Sequence, residues 1–478
     1  MEERKGFGSN FGFLMAAVGS AVGLGNIWGF PNKMGASGGF TFLIIYLILA
    51  VCCGFIVMVG ELALGRKTGH GAVGAYKALS KKFKWLGWLG ILSAFLILFF
   101  YCALGGYCIK YVVLNVGNLF GAGFGSGGMS GADVFGEFMG NQLESVIYGL
   151  IFVLLTMLIV MGGVGGGIEK VCSVGMPALF IILLICIIRA CTLPGAVDGL
   201  KYMFVPGWAL EHGVIDKAPD LLTVLSTAGG QMFFSLSLGM GAMITYGSYL
   251  NKKENIEKNA LLIVIMDTMV ALMAGLCVIP GRFALDPTGK LGGPSLLFVT
   301  MQNVFDNMPL GSVFGILFYL LVVFAAISSS ISLLEVIVAH FCDKAREKGK
   351  GDKRKAYSLI AAAAVGVGCI LVCLDCLGGA GISPFNILGM NPENGLPMWS
   401  DCWLDFFDCI SEGILMPLGA LLMCLCIGWE IGPKVVDEEV TLEGQNFKLR
   451  GFFNLCVKII TPLGMLLVLY GQIKDFFF

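Results

Sequence analysis

Residues 19–26 read Gly19-Ser20-Ala21-Val22-Gly23-Leu24-Gly25-Asn26 and stand in the middle of an apolar run, 11–31. A helix that faces lipid favours Leu or Ala at such positions, because glycine costs about 1 kcal/mol relative to alanine in a helix interior. A helix that breaks inside hydrocarbon leaves amides and carbonyls unpaired, which is tolerated only where they line a cavity or bind a ligand. Close packing of helices through small residues is the alternative interpretation.

A second stretch of this kind, Ser235-Leu236-Ser237-Leu238-Gly239-Met240-Gly241, stands in the middle of the apolar run 220–249. The two stretches are five apolar runs apart, so they predict two halves of opposite topology that each open with a broken helix. This pattern is typical of secondary transporters, whose binding site lies between the breaks. Free N–H groups of half-helices suit an anion, and unwound carbonyls suit a hard cation.

The composition places the chain in a lipid bilayer. Of its 478 residues, 57% are hydrophobic and 13% are charged, whereas soluble domains carry about 25% charged residues. The apolar surplus is too large to bury in one or two cores and must face lipid. The net charge of −1 gives no indication of nucleic acid as a partner. The composition therefore argues against a soluble enzyme.

Eleven apolar runs are long enough to cross a bilayer, which takes roughly 20 residues. They do not alternate every second residue as the strands of a membrane barrel do, so we interpret them as helices. We number these spans 1 to 11 in chain order: 11–31, 39–64, 86–117, 145–162, 170–191, 220–249, 260–281, 312–342, 356–376, 411–429 and 452–473.

Lys and Arg indicate the orientation of the spans. With the N-terminus inside, most of the 31 Lys and Arg residues fall on inner segments, and the outer segments 118–144 and 377–410 contain none. Cytoplasmic loops of membrane proteins carry this excess of positive charge. We therefore expect a multi-pass protein of the cell (cytoplasmic) membrane with a cytoplasmic N-terminus. An odd number of spans leaves the C-terminus outside.

Cysteine and histidine give no strong indication of a metal or redox site. Most of the 17 cysteines lie inside apolar runs and are interpreted as small buried hydrophobic residues. Cys373-x-x-Cys376 would suit a metal or redox site, but no second pair accompanies it. The three histidines have no metal-binding spacing, and the sequence has no Walker-type Gly-Lys-Ser/Thr. An enzyme embedded in the membrane is therefore also disfavoured.

Further motifs accompany the two stretches. Residues 19–31 end in Ile-Trp-Gly-Phe-Pro, and residues 231–241 begin with Gln-Met-Phe-Phe-Ser. Glu61-Leu-Ala-Leu-Gly-Arg66, Tyr101, Asp267 and Ser328-Ser329 follow in spans 2, 3, 7 and 8. In this order and spacing the chain resembles the neurotransmitter:sodium symporter family, in particular its bacterial eleven-helix amino-acid transporters.

The resemblance implies an all-α polytopic membrane protein with a 5+5 inverted repeat and broken helices 1 and 6. The whole chain, 1–478, would form a single transmembrane transporter domain. Its first repeat would be 1–191, its second repeat 220–429, and 452–473 would be an extra C-terminal helix.

The resemblance also implies two sodium ions beside the substrate, since sodium prefers several hard oxygen ligands. For the serines alone, hydrogen bonding to their own helix carbonyls is the alternative. The first ion would be held by Ala21, Asn26, Ser235 and Asp267, and the second by Gly19, Val22, Ala325, Ser328 and Ser329.

Asp267 carries a further implication, because an ionisable group in mid-span is expensive and usually functional. Chloride-dependent members of the family place Asn at this position and Ser one turn later, whereas this chain has Asp267 and Ala271. A fixed carboxylate would supply the charge that chloride otherwise provides. We therefore expect chloride-independent transport, with Asp267 able to take up a proton on the return step. Alternatively, Asp267 only ties helices together.

The substrate pocket implied by the family suits an intact amino acid. Monoamine transporters have Asp at the position of Gly23, because their substrates lack a carboxylate, and here Tyr101 would bind that carboxylate. An adaptable Met240 favours hydrophobic side chains up to the size of Trp, unless Met240 merely fills the core. The implied lining is Ser20, Ala21, Gly23, Gly25, Ile97, Tyr101, Phe234, Ser235, Ser237, Met240, Ser329 and Leu333.

The gates follow the family pattern on one side and depart from it on the other. Inside, Arg4 and Asp343 match an ion pair that Tyr249 and Ser248 would support. Outside, Gly29 replaces the usual gate Arg, and Lys33 lies one turn later. Lys33 could pair with Asp405 or Asp408, or be a solvated loop cation. Two deep carboxylates, Glu61 and Glu335, would accept backbone N–H bonds of the broken helices.

Taken together, these features predict a sodium-coupled importer of hydrophobic or aromatic L-amino acids that works by alternating access and is not an enzyme. The expected partners are a small-molecule amino acid and the lipid bilayer. The oligomeric state stays open, a homodimer included. The alternative is an amino-acid-gated channel or sensor on the same fold.

Overall fold

The computed structural model describes residues 6–285, 295–349, 351, 353–388 and 400–477. These residues form helices and connecting turns, without a β-strand in the described ranges. Within them, 9 helices are long and apolar enough to cross a membrane, and a pair bent by 46° forms a further span. Span 6 is also broken, into Leu221–Ser235 and Ala242–Gly247. The all-α fold with broken first and sixth spans is confirmed.

Each predicted span corresponds to a helix or a broken helix. The unbroken spans 2–5 and 7–11 run Phe40–Thr68, Leu86–Phe120, Gln142–Met161, Val164–Cys191, Ile256–Ala284, Gly311–Glu347, Arg354–Asp375, Trp403–Glu430 and Arg450–Phe476. Shorter helices connect them: Ala72–Leu79, Gly131–Gly140, Ala196–Phe204, Trp208–Glu211, Met301–Asp306, Pro384–Leu388 and Lys434–Val440.

Span 1 begins at a capped N-terminus and breaks after 12 residues, about three turns. Ser9 caps the helix Asn10–Ala21, because its hydroxyl accepts the amide of Gly12 at 2.9 Å. Val22 then adopts an extended conformation, with φ −74° and ψ 104°. The helix resumes with a π-helical turn, Gly25–Gly29, that continues into Phe30–Ala36. The break is therefore shorter than the Gly-rich stretch 19–26 suggested.

Span 6 unwinds over six residues, 236–241. Ser237, Gly239 and Gly241 have positive φ angles of 53°, 79° and 76°. Gly239 is required for a second reason: a Cβ atom there would lie 2.2 Å from the carbonyl oxygen of Met416 in span 10. Positive φ angles and this close approach explain why the sequence is rich in Gly at this break.

Spans 3 and 8 pack against each other along much of their length and form the centre of the bundle. Span 8 also contacts spans 1, 4, 5 and 9. The two breaks therefore lie beside a continuous pair of helices, which hold them in place from one side.

Candidate functional site

The two breaks contact each other in the interior of the bundle. The hydroxyl of Ser237 donates to the carbonyl of Ser20 at 2.7 Å, and the side-chain amide of Gln231 donates to the carbonyl of Gly25 at 2.7 Å. All the predicted substrate-pocket residues are buried, so the site is closed toward both ends of the bundle. Side chains thus satisfy backbone groups that the breaks would leave unpaired.

Asn26, Ser235 and Asp267 come together beside the break of span 1. The amide nitrogen of Asn26 donates to Asp267 Oδ1 at 2.7 Å and to Ser235 Oγ at 2.9 Å. The Ser235 hydroxyl donates to Asp267 Oδ2 at 2.9 Å. Ala21, the fourth residue expected here, is buried at the last position of the first half-helix. A carboxylate, a carboxamide and a hydroxyl thus share one enclosed space.

A second group of oxygens lies on the other side of the same break. The Ser328 hydroxyl is 3.0 Å from the carbonyl of Ala325 and 3.4 Å from that of Val22. The Ser329 hydroxyl is 3.3 Å from the carbonyls of both Gly19 and Val22. All five residues expected at the second ion site are therefore neighbours.

Both groups have the chemistry that a hard cation needs. The second group offers three carbonyl and two hydroxyl oxygens without a formal charge, and the first adds one carboxylate. The serine hydroxyls now donate their protons to carbonyls or to the carboxylate. When a cation binds, these protons can rotate away, so that the hydroxyl and carbonyl oxygens all become ligands. In the first group, a cation would take the place of the Asn26 N–H donor, and the carboxamide would present its oxygen instead.

Tyr101 faces the break of span 1. Its hydroxyl accepts the amide of Leu24 at 2.9 Å. A Cβ atom at Gly23 would lie 2.4 Å from this hydroxyl and 2.3 Å from Ser329 Oγ, so no larger residue fits in this conformation. Gly23, Leu24, Tyr101 and Ser329 therefore form a compact polar corner of amide and hydroxyl groups.

An apolar surface lies opposite this corner. Phe234 is tilted against Tyr101 with ring centroids 6.4 Å apart, and it contacts the space beside Gly25. Ile97, Met240 and Leu333 are buried members of the same core cluster. These side chains carry no polar group that could pair with a charged side chain.

Three further residues contact the site, although no role was predicted for them. Tyr46 places its hydroxyl 3.5 Å from Asp267 Oδ2, and Ser332 accepts the Ser20 hydroxyl at 2.7 Å. Gln231 binds the carbonyl of Gly25, as described above. Ser332 was recognisable, because it lies on the same helical face as Ser328 and Ser329. Tyr46 carried no such signal, since only the folded bundle brings span 2 to Asp267.

The outer ion pair differs from the one expected. Among the described residues, the direct ion-pair contact of Lys33 is with Glu412, and Asp408 lies close enough to interact electrostatically with Lys33. The side chain of Lys33 is 24% exposed and that of Glu412 is 7% exposed, so Lys33 is not a solvated loop cation. Glu412 lies one turn after Asp408, within a π-helical segment, Cys409–Leu415, that shifts the register of span 10.

The inner end also differs from expectation at Glu335. Glu335 pairs with Arg354 at 2.6 and 2.7 Å and accepts the hydroxyl of Tyr249 at 2.5 Å. Its role as an acceptor of backbone N–H bonds was therefore wrong, because a long Arg side chain reaches it from the start of span 9. Tyr249 therefore contacts this pair through its hydroxyl.

Asp343, Ser248 and Glu61 make further contacts on the inner side of the site. Asp343 accepts the amide of Gly71 at 2.9 Å; its expected partner Arg4 lies outside the described residues. Ser248 donates to the carbonyl of Thr245. Glu61 accepts the amide of Gly239 at 2.8 Å, which confirms that it supports the break of span 6.

Comparisons with known proteins agree with this architecture. The model of the sodium:neurotransmitter symporter family matches residues 4–119 and 137–477. The chain is 34% identical to the sodium-dependent transporter YhdH of Bacillus subtilis (strain 168), over 97% of each protein. It is 25% identical to the sodium- and chloride-dependent GABA transporter ine of Drosophila melanogaster, over 69% of this chain and 38% of ine.

A solved structure shares the fold over the full length. The crystal structure of MhsT in complex with L-phenylalanine matches with a TM-score of 0.83 and 33% identity, covering 98% of this chain and 100% of MhsT. Fold, broken spans and family match are consistent with one another. The chain belongs to the sodium:neurotransmitter symporter family, a family of sodium-dependent membrane transporters and not of enzymes.

Proposed function

We propose that this protein imports hydrophobic and aromatic L-amino acids together with two sodium ions, by alternating access around the paired breaks. The observation that carries the proposal is the convergence of both oxygen groups on the break of span 1, next to the polar corner at Tyr101. A relative of 33% identity over nearly the whole chain was crystallised with L-phenylalanine, which supports an amino acid as substrate.

The polar corner suits the backbone of an amino acid. We assign the substrate carboxylate to the Tyr101 hydroxyl, the amides of the break and the first sodium ion. The amino group would face carbonyls near Ala21 and Phe234 and the hydroxyls of Ser237 and Ser329. An Asp in place of Gly23, which a monoamine would need, would collide with Tyr101 and Ser329.

The side-chain end of the pocket suits apolar and aromatic groups. Ile97, Phe234, Met240 and Leu333 are buried and uncharged, so a basic or acidic substrate side chain would remain unpaired at high cost. Met is unbranched and adaptable, which favours substrates from Leu to Trp over one fixed shape.

Asp267 supports chloride-independent transport. Its carboxylate is fully buried and bound by neutral donors, Asn26 and Ser235, so a sodium ion beside it would supply the missing positive charge. Relatives are named differently in this respect: ine as chloride-dependent and YhdH only as sodium-dependent. When sodium leaves, a buried carboxylate without a counter-ion is costly, and proton uptake by Asp267 would remove that cost on the return step.

In alternating access, the site would open first to one side of the membrane and then to the other. We propose that residues 1–191 and 220–429 are the two inverted repeats, that 452–473 is an added helix, and that the N-terminus is cytoplasmic. Lys33–Glu412 at one end and Glu335–Arg354 at the other are then the ion pairs that separate and reform in turn.

Equilibrium binding tests this assignment. Purified transporter is incubated with labelled tryptophan in sodium or potassium buffer, and each common amino acid is added as competitor. We expect binding only in sodium, because the substrate carboxylate completes the shell of the first ion and each ligand favours the other. Hydrophobic and aromatic amino acids should compete, and charged ones should not.

A matched pair of serine variants locates the sodium dependence. Ser328→Ala should weaken sodium-dependent binding about tenfold, since it removes one oxygen of the second ion group and has no part in the substrate pocket. Ser330→Ala should leave binding within about twofold, because Ser330 bonds Thr156 and its own helix. Equal affinity in sodium and potassium would refute the ion assignment.

A further inference from the structure

Arg66 ends the motif Glu61-Leu-Ala-Leu-Gly-Arg66 and has no part in the transport mechanism proposed above. It lies in the last turn of span 2, at the inner end of the bundle. Its side chain is only 1% exposed, and that of its ion-pair partner Glu439 is 4% exposed. A charge withdrawn from water is costly unless it is paired and hydrogen-bonded. The partners of Arg66 therefore indicate what this buried charge does.

Arg66 binds two separate segments of the chain through its three guanidinium nitrogens. Nε donates to the carboxylate of Glu439 at 2.7 Å, and Nη2 donates to the backbone carbonyl of the same residue. Nη1 donates to the backbone carbonyl of Glu254 at 2.5 Å. Glu439 lies in the helix Lys434–Val440 between spans 10 and 11, and Glu254 lies in the loop between spans 6 and 7. The guanidinium thus joins the inner ends of spans 2, 6 and 10.

The two segments are also bonded to each other. The side-chain nitrogen of Gln445 donates to the carbonyl of Lys253 at 2.7 Å. The carboxylate of Glu257 accepts the amides of Lys448 and Leu449 at 3.0 and 2.8 Å. The donors belong to the connection between spans 10 and 11, and the acceptors lie in the 6–7 loop and at the start of span 7. Loop and connection therefore form one assembly, which the guanidinium links to span 2.

The inner half of span 6, Ala242–Gly247, packs directly on span 2 just before this assembly. A Cβ atom at Gly65 would collide with the carbonyl of Ile244, and one at Gly247 would collide with the carbonyl of Leu62. The two backbones therefore touch at two points. A half-helix of six residues is too short to be stable by itself, so its position depends on span 2 and on the loop that follows it.

We propose that Arg66 is a positioning residue: it fixes the inner half of span 6 to span 2 and to the 10–11 connection, and so sets the place of Met240 in the substrate pocket. Only Gly241 separates Met240 from the half-helix Ala242–Gly247, so movement of this half-helix carries Met240 with it. The inference rests on the proposed pocket and adds to it a residue that does not touch the substrate.

Loss of the guanidinium link should lower substrate affinity without removing binding sites. A buried ion pair that loses one partner leaves the other charge uncompensated, so the 6–7 loop and the inner half of span 6 should open more often. The apparent Kd then rises as the fraction of transporter with a correctly placed Met240 falls. A purely structural role would instead reduce the number of folded transporters that bind and leave their Kd unchanged.

Hydrogen exchange and equilibrium binding on the intact transporter test the proposal. Amide exchange is followed by mass spectrometry in sodium buffer, and saturation with labelled tryptophan gives both the Kd and the number of sites. For Arg66→Gln we expect exchange in residues 242–256 to increase at least about fivefold, because local opening governs exchange, with spans 3 and 8 unchanged. The Kd should increase about fivefold at an equal number of sites.

Three further variants assign the effect to the guanidinium link. Arg66→Lys keeps the charge and should recover part of the affinity. Glu439→Gln weakens the same ion pair from its other side and should shift exchange and Kd in the same direction. The matched control is Lys67→Gln: this neighbouring cation pairs with Glu438, and their side chains are 28% and 55% exposed. The control should leave both measurements within about twofold, because exposed pairs contribute little.

Three outcomes would overturn the proposal. Equal effects of Arg66→Gln and Lys67→Gln would mean a general effect of charge at this end of the bundle. Fewer sites at an unchanged Kd would mean a purely structural role. Faster exchange in 242–256 at an unchanged Kd would mean that the half-helix moves without Met240. A wild type that binds no amino acid would instead refute the proposed function, and the exchange comparison would still decide whether Arg66 holds the half-helix.

Discussion

Asp267 is the buried carboxylate of the first ion group. It is fully buried, and its contacts are the neutral groups of Asn26, Ser235 and Tyr46. Such a carboxylate needs either a cation or a proton to balance its charge. Ala271, one turn later on the same helix, offers no hydroxyl to an anion. We therefore propose that these two positions decide whether transport depends on chloride.

Replacing both Asp267 and Ala271 should create a requirement for chloride. Wild-type uptake should be equal in chloride and gluconate buffer, whereas Asp267→Asn with Ala271→Ser should transport only in chloride, since an anion must then replace the carboxylate. Sodium-driven uptake in the two buffers measures this, and Ala271→Ser alone is the control that should stay indifferent. A wild type that needs chloride, or an active double variant that ignores it, would refute charge replacement.

Met240 is expected to set the upper size of the substrate. A Cβ atom at Gly90 of span 3 would lie 2.9 Å from the backbone carbonyl carbon of Met240, so the two backbones are in close contact. Because this contact holds the backbone of Met240 in place, only its side chain can adapt to the substrate. Met240→Phe should lower the affinity for Trp relative to Leu by about tenfold, which is about 1.4 kcal/mol, because a planar ring cannot bend aside.

Competition binding with Trp and Leu measures this ratio. Met240→Leu is the matched control and should change the ratio much less, since Leu stays aliphatic and similar in volume. An unchanged ratio in Met240→Phe would remove Met240 from the specificity argument.

At the residue scale, the sequence predicted which residues meet but not all of their partners. Ser328 and Val22 are 306 positions apart, and no local pattern shows such a contact; the order of family motifs made it predictable. Lys33 was placed on the correct helical face, but its acceptor was misplaced by one turn because π-helical residues precede Glu412. Arg354 was missed as a partner of Glu335, since its long side chain reaches inward from a segment that looked like a solvated loop.

At the scale of elements, the Lys33–Glu412 pair joins span 1 to span 10. Both groups are largely withdrawn from water, and removal of one partner leaves the other charge poorly compensated. Lys33→Ala should therefore lower uptake severalfold, and the charge swap Lys33→Glu with Glu412→Lys should recover part of it.

A more exposed ion pair serves as the control. Lys67 and Glu438 are 28% and 55% exposed, so Lys67→Ala should leave uptake nearly unchanged. Initial uptake rates compare the variants. If Lys33→Ala and Lys67→Ala have the same effect, the pair does not act as an outer gate.

The first residues of span 1 are tied to the start of span 5. Glu169 accepts the amide of Gly8 at 2.8 Å and the hydroxyl of Ser9 at 3.1 Å. Gly12 permits this approach, because a Cβ atom there would lie 1.9 Å from Glu169 Oε1. Opening of the inner end by a swing of Asn10–Ala21 would break both hydrogen bonds.

Glu169→Gln should weaken this tie, since hydrogen bonds to a charged acceptor are stronger than those to a neutral one. We expect faster amide hydrogen exchange in residues 6–21, measured by mass spectrometry on the intact transporter in sodium buffer. Glu144→Gln, which affects a pair with Lys110 elsewhere, should leave this segment unchanged. Equal protection in both variants would show that Glu169 does not hold the inner end closed.

Span positions were predictable because each helix must cover the hydrocarbon with apolar residues. The lengths of the unwound segments in spans 1 and 6 were harder to predict. Glycine and serine marked where spans 1 and 6 unwind, but span 1 leaves helical geometry only near Val22 and Gly23. The rest of that stretch stays helical, because Gly25–Gly29 closes a π-helical turn that keeps its backbone bonded.

At the scale of the molecule, both ends of the site are closed at once. Glu335 accepts hydrogen bonds from both Tyr249 and Arg354 at the inner end, and Lys33 and Glu412 pair at the outer end. Alternating access requires that these two closures open in turn and never together. A channel, in contrast, would open both.

Uphill uptake tests this central claim most directly. Transporter is reconstituted into vesicles that contain potassium buffer and are diluted into sodium buffer with labelled leucine or tryptophan. The account predicts that the internal concentration rises severalfold above the external one and falls back when an ionophore dissipates the sodium gradient. Equilibration without accumulation, or entry that ignores the sodium gradient, would contradict it and would indicate an amino-acid-gated channel or a sensor instead.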